Sequence, residues 1–102
     1  MATQPHDEWE DELVEVEPPL LGKSKVLFTA HALQQMDVRG ITTRQALQVI
    51  RNPHEFQDAD MGRTRARRIR AGGTSAIDVV YELDLDQVIV VTAIAKHWKK
   101  TR

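Results

Sequence analysis

Three side chains of this chain are candidates for acid–base chemistry on a phosphate ester: two of its histidines and one of its arginines. His31 and His97 are candidate general base and general acid, because an imidazole titrates near neutral pH. Arg39 is a candidate for steadying a charged phosphorane, because its planar guanidinium matches phosphate oxygens. With a 2′-hydroxyl as nucleophile, such a set would cleave RNA without a metal ion.

His31 is predicted to lie in the first turn of a helix that Thr29 caps and Gly40 closes. A phosphate is favoured there by the helix dipole, which also favours the neutral, basic form of the imidazole. Arg39 would lie some 12 Å further along the helix at 1.5 Å per residue, so a substrate would have to bridge the two. The alternatives are a surface histidine that hydrogen-bonds locally and an arginine that opposes the helix dipole.

An arginine-rich segment is the strongest electrostatic signal in the sequence. Its members are Arg63, Arg65, Arg67, Arg68 and Arg70. On a strand, the first three would share one face and the last two the other, so we predict an exposed edge strand. So many cations with few acids nearby favour binding to a phosphate backbone. The alternative is an edge strand protected by charge against aggregation.

The end of the chain combines cations with an aromatic ring. Lys96, Trp98 and Lys99 are candidate RNA contacts, with a base stacked on the indole between the two lysines. Trp98 packed over the end of the core is the alternative.

The sequence gives no indication of a metal site or a cofactor. The four histidines are scattered, there is no cysteine, and Gly72-Gly73 is typical of a hairpin rather than a phosphate-binding loop. We therefore predict that neither a metal nor a cofactor takes part.

Charge is divided unevenly along the chain. Seven of the 15 acidic residues lie in residues 1–17, which contain no lysine or arginine. We predict an acidic, disordered tail over residues 1–19 and a single basic domain over 20–102. The tail would be solvated, would fold back over the basic surface, or would dock on another protein.

No apolar run approaches the roughly 18 residues of a membrane span, and the first residues lack the pattern of a secretory signal. With no cysteine in the chain, this favours a soluble cytoplasmic protein without membrane contact.

The pattern of local signals predicts an α+β fold with the order β-α-α-β-β-β. A strand over 23–28 precedes two short helices, the second with a capping box at Thr42 and Gln45 and a stop at Pro53. Three strands follow over 62–70, 76–83 and 87–95, and the turn at Gly72-Gly73 indicates a hairpin. We expect the two helices to pack on an antiparallel meander.

The segment FTAHALQQMDVRGIT resembles the bacterial domain-of-unknown-function family 4258 (DUF4258). That family tends to carry T-x-H-A, here beginning at Thr29, then M-x-x-R-G-I, here beginning at Met36. A helix that ends at a proline, here Pro53, and a β-meander follow. The resemblance covers residues 26 to about 95 and leaves out the acidic tail.

The order of elements is also similar to that of RelE-type toxins, small ribonucleases that commonly pair with an antitoxin. This resemblance implies a toxin-like, metal-independent ribonuclease of a bacterial toxin–antitoxin system, with RNA as substrate and an antitoxin as partner. It carries over no catalytic residue. Two alternatives stay open: a non-catalytic module that binds RNA or DNA, and a protein-interaction domain that acts through its acidic tail.

Overall fold

A computed structural model describes residues 9–97 of the chain. Two strands, two α-helices and four further strands follow one another along it, with a 3₁₀ turn at Asp60–Gly62 after the third strand. In chain order they are β1 (Glu12–Leu20), β2 (Lys23–Phe28), α1 (Ala30–Arg39), α2 (Thr43–Arg51), β3 (Glu55–Ala59), β4 (Arg63–Ile69), β5 (Ser75–Leu83) and β6 (Gln87–His97).

All six strands form one mixed sheet in the order β1-β2-β6-β5-β4-β3. The pair β2 and β6 is parallel, and every other neighbouring pair is antiparallel. The predicted order β-α-α-β-β-β with an antiparallel meander is therefore wrong. The helices lie between β2 and β3, and β1 and β3 are two strands that the prediction did not contain.

β1 escaped prediction because its acids and Pro18-Pro19 are typical of a solvated tail. Its apolar residues nevertheless alternate: Val14, half-buried, and Val16 and Leu20, buried, turn toward the core while the acids between them stay exposed. β3 escaped because EFQDA has no apolar run, and four of its five residues are exposed at the sheet edge.

β3 also corrects the predicted position of the arginine-rich strand. β4 pairs with β3 on one side and with β5 on the other, so it lies inside the sheet and is not an edge. An interior strand can carry arginines on both faces only where each guanidinium group reaches solvent or a hydrogen-bonding partner.

Local capping signals were predicted correctly. The Thr29 side chain accepts from the backbone N–H of Ala32, and Gly40 closes α1 in the left-handed region at φ 68°. At the start of α2, Thr42 and Gln45 form the reciprocal capping box. The strand predicted over 23–28 is β2, and those predicted over 76–83 and 87–95 are confirmed as β5 and β6.

The hydrophobic core lies between the two helices and one face of the sheet, here called the helix face. α1 packs on β6, and α2 packs on β4 and β5. The largest core side chains with almost no exposed surface are Leu20, Val26, Phe28, Val49, Val79, Val88 and Val90. The opposite face, the helix-free face, is covered by no helix within residues 9–97. Neither α1 nor α2 is long or apolar enough to cross a bilayer.

Candidate nucleic-acid interface

Register decides which way each arginine of β4 points. Thr64 pairs with Tyr81 and Ala66 with Val79, and both partners belong to the core on the helix face. Since directly opposed residues share a face and successive residues alternate, the odd-numbered positions of β4 lie on the helix-free face. Those positions are Arg63, Arg65 and Arg67, as the alternation in the sequence predicted.

Arg67 is held by a carboxylate that water does not reach. Its Nε donates to Oδ1 of Asp78 at 2.7 Å and its Nη2 to Oδ2 at 2.9 Å. The Asp78 side chain is 0% exposed, which makes this pairing obligatory for a buried charge. The hydrogen bond to Asp78 raises the pKa of Arg67, an effect that partial desolvation opposes.

The neighbouring arginines on this face differ in how they are engaged. Arg63 donates through Nε to Glu82 at 3.0 Å, and both side chains are about one-third exposed, at 32% and 37%. A partly exposed ion pair of this kind contributes little to stability, on the order of 0–1 kcal/mol. Arg65 lies between Arg63 and Arg67 and makes no hydrogen bond or ion pair with any described residue.

Arg65 also lines a shallow hollow of about 90 Å³ beside β3. Arg67, Glu55, Phe56 and Gln57 complete its wall. The hollow opens on the same surface as the row of three arginines, so a chain lying along that row would pass over it.

The other two predicted arginines belong to the helix face. Nη1 of Arg68 donates to the carbonyl oxygen of Asn52 at 2.7 Å, just beyond α2. Arg70 follows β4, and its backbone N–H donates to the carbonyl of Ser75 at 2.9 Å. The five arginines therefore do not form one surface, because the sheet divides them into three and two.

His31 is exposed in the first turn of α1, as predicted, and its imidazole has no partner among the described residues. The anion at this helix end is a side chain of the protein itself: Oδ1 of Asp11 accepts from the backbone N–H of Ala30 at 2.8 Å. The acidic segment thus contacts α1. Its strand, β1, is an edge of the sheet and is separated from β4 by four strand spacings, roughly 19 Å at 4.8 Å each. In residues 9–20 it does not cover the arginines.

The structure does not bring the predicted catalytic residues together. The residue before α1, Thr29, bonds to the backbone of Val90 and Val91, and His97 lies six residues further along β6, roughly 20 Å away. Arg39 is at the other end of α1, where its guanidinium contacts the side chain of Gln35. His31 and Arg39 also lie on the helix side of the sheet, opposite the row of arginines.

Lys96 is exposed near the end of β6 and pairs across the sheet with Ala76. By alternation it shares the helix-free face with Asp78 and the three arginines. Trp98 and Lys99 lie outside the described residues.

Three acidic residues that organise these surfaces were not predicted from the sequence: Asp11, Asp78 and Glu82. Asp78 had a detectable signal, since it is a carboxylate with apolar neighbours on both sides, in a strand that follows an arginine-rich one. Within residues 9–97 no three His, Cys, Asp or Glu side chains are grouped to hold a metal ion. Nδ1 of His54 accepts from the backbone N–H of Ile69 at 2.8 Å and is thereby engaged in the fold.

Comparison with known proteins adds the family. The model of the family described as "Domain of unknown function (DUF4258)" matches residues 28–95, two-thirds of the chain. The chain belongs to the DUF4258 family. The matched segment begins at the last residue of β2 and ends inside β6, so β1 lies outside the DUF4258 region.

No curated protein and no solved structure matches the chain. The resemblance to RelE-type toxins therefore gains no support, and the element order on which it depended is the one that the fold corrects. Membership of DUF4258 relates the chain to a family whose description states no activity.

Proposed function

We propose that this DUF4258 protein is a nucleic-acid-binding module that holds a phosphate backbone against the helix-free face of its sheet. The observation that carries the proposal is the row formed by Arg63, Arg65 and Arg67 on a single strand. Alternate residues of a strand are about 6.8 Å apart, close to the separation of successive phosphates along an extended nucleic-acid strand. Such a row follows a backbone without reading its sequence.

The differences among the three arginines suit this role. The guanidinium of Arg65 has no partner among residues 9–97, and the surface pair of Arg63 with Glu82 costs little to exchange for a phosphate. Arg67 keeps its buried partner, which offsets its charge, and offers the remaining N–H donors of its guanidinium beside them. Lys96 supplies a further exposed cation on the same face.

Binding is proposed here in preference to catalysis because His31 and His97 lie far apart and His31 lies across the sheet from the arginines. The predicted base and acid therefore do not flank one phosphate position on the row of arginines. The toxin-like ribonuclease, its antitoxin and the interaction through the acidic tail stay predictions. RNA as the ligand, with DNA as the alternative, also stays a prediction.

The proposal is tested by the binding of labelled single-stranded RNA and DNA to the full chain over a range of salt concentrations. Arg65→Ala should weaken binding several-fold for every sequence tested, and should lower the slope of log affinity against log salt by about 1. Arg44→Ala is the matched control, since Arg44 is an exposed arginine of α2 on the helix side and has no partner in the described part of the chain.

Equal losses in the two variants would mean non-specific attraction by net charge and would overturn the proposed face. Incubation of labelled RNA with the wild-type chain and with His31→Ala, in the presence of a metal chelator, tests cleavage in the same samples. We expect intact RNA in both. Cleavage that disappears with His31 would instead support the ribonuclease.

A further inference from the structure

A second cavity lies on the helix face, between α2 and the end of β4, and has a volume of about 260 Å³. It is just below the roughly 300–1,000 Å³ typical of small-molecule sites, so it suits one compact ligand. It is separated from the row of arginines by the sheet itself. An inference about it therefore does not depend on the proposed function.

The charge of this cavity is one-sided. Two of its lining residues are Arg68 and Arg70, and none of the described residues that line it is acidic. The bond from Arg68 to the Asn52 carbonyl uses one of the five N–H donors of its guanidinium and fixes the group in place. The Arg70 side chain has no partner among the described residues. Two arginines so placed favour a phosphate group.

The remaining walls are of two kinds. Val49 and Ile77, 1% and 4% exposed, supply an apolar surface. Gln45 and Gln48 of α2 supply carboxamides. The Gln45 oxygen accepts from the backbone N–H of Thr42, which leaves its amide nitrogen to donate. The Gln48 side chain has no hydrogen-bond partner among residues 9–97. A carboxamide can recognise the edge of a nucleobase through paired hydrogen bonds.

We propose that this cavity binds a single nucleotide, with its phosphate on Arg68 and Arg70. Its base would lie against Val49 and Ile77 and would be contacted by the carboxamides of α2. Only a ligand that joins an anionic group to a flat, partly apolar group with hydrogen-bonding edges uses all three kinds of wall. Both a free mononucleotide and the terminal nucleotide of a strand have this chemistry.

Titration of the isotope-labelled full chain with AMP, followed by amide chemical shifts, tests the site. AMP should shift the signals of Gln45, Gln48 and Arg70, and adenosine and inorganic phosphate should each bind at least tenfold more weakly. A 5′-phosphorylated dinucleotide compared with AMP distinguishes a strand end from a free nucleotide. Tighter binding of the dinucleotide would assign the cavity to strand ends, and tighter binding of AMP to free nucleotides.

Two variants make the test specific. Arg70→Ala and Gln48→Leu should each lower AMP affinity about tenfold, whereas Arg44→Ala, which lies on α2 but does not line this cavity, should leave it unchanged. Arg65→Ala should weaken strand binding without affecting AMP, so failure of either proposal is seen separately. Shifts centred elsewhere, an unaffected Arg70→Ala, or phosphate binding as tightly as AMP would overturn the nucleotide site.

Discussion

The two faces of the sheet are built on different physical principles. On the helix face, aliphatic side chains exclude water between the sheet and two short helices, and stability comes from apolar area removed from solvent. On the helix-free face, a buried carboxylate is held by an arginine within a row of cations. On the helix face, an apolar side chain can be exchanged for a similar one at a small cost in stability. The stability of the helix-free face depends on the single pair of Arg67 with Asp78.

This difference separates what stabilises the fold from what is available for binding. Arg67 is bound to Asp78, whereas its neighbour Arg65, two residues away, has no partner among the described residues. The helix-free face therefore combines an arginine fixed by a buried partner with an adaptable one on the same strand. Three measurements of stability test whether the two faces differ in this way.

The largest effect is expected from Arg67→Met. Asp78 would then be a buried carboxylate without a partner, which costs about 3–5 kcal/mol of the free energy of unfolding. Urea denaturation measures the loss. Adding Asp78→Leu should restore most of it, because apolar residues of similar volume can replace a buried ion pair. A loss below about 1 kcal/mol, the range of exposed pairs, would show that water reaches Asp78.

A smaller effect is expected on the helix face from Ile50→Val, since Ile50 is 2% exposed. Removal of one buried methylene group should lower the free energy of unfolding by about 0.5–1.5 kcal/mol. The loss should be the same in low and in high salt, because no charge is involved. A loss as large as that of Arg67→Met would mean that both faces tolerate change equally poorly.

The smallest effect on stability at neutral pH is expected from Tyr81→Phe. Tyr81 pairs with Thr64 on the helix face. Burial raises the pKa of Tyr81, and a hydrogen bond with Thr64 opposes part of that shift. Because the folded state favours the neutral phenol, this stability is present below about pH 10 and is lost as pH rises from there through the folded pKa.

Tyr81 is the only tyrosine of the chain, so phenolate absorbance reports its titration directly. Its midpoint should lie above that of the unfolded chain. Tyr81→Phe should remove this part of the loss of stability at high pH, and an unchanged pH profile would count against a buried phenol.

How far the sequence could be interpreted depended on how local each signal was. The caps at Thr29 and Thr42 and the αL residue Gly40 were predictable because each depends on contacts within four residues. β1 and β3 were not. The acids and prolines of β1 obscure its alternating apolar residues, and the exposed side chains of β3 carry no apolar pattern. They become strands through pairing with β2 and β4, the next strands along the chain.

The candidate sites divide in the same way. Sequence alone determined that Arg63, Arg65 and Arg67 share one face and Arg68 the other, because side chains alternate along any strand. Only the tertiary structure decided that Asp78 binds Arg67, that Arg65 has no partner among residues 9–97, and that His31 lies across the sheet from both. Such partnerships depend on strand register, which is set by the pairing of strands, and on which face the helices cover, which is set by the packing of α1 and α2 on the sheet.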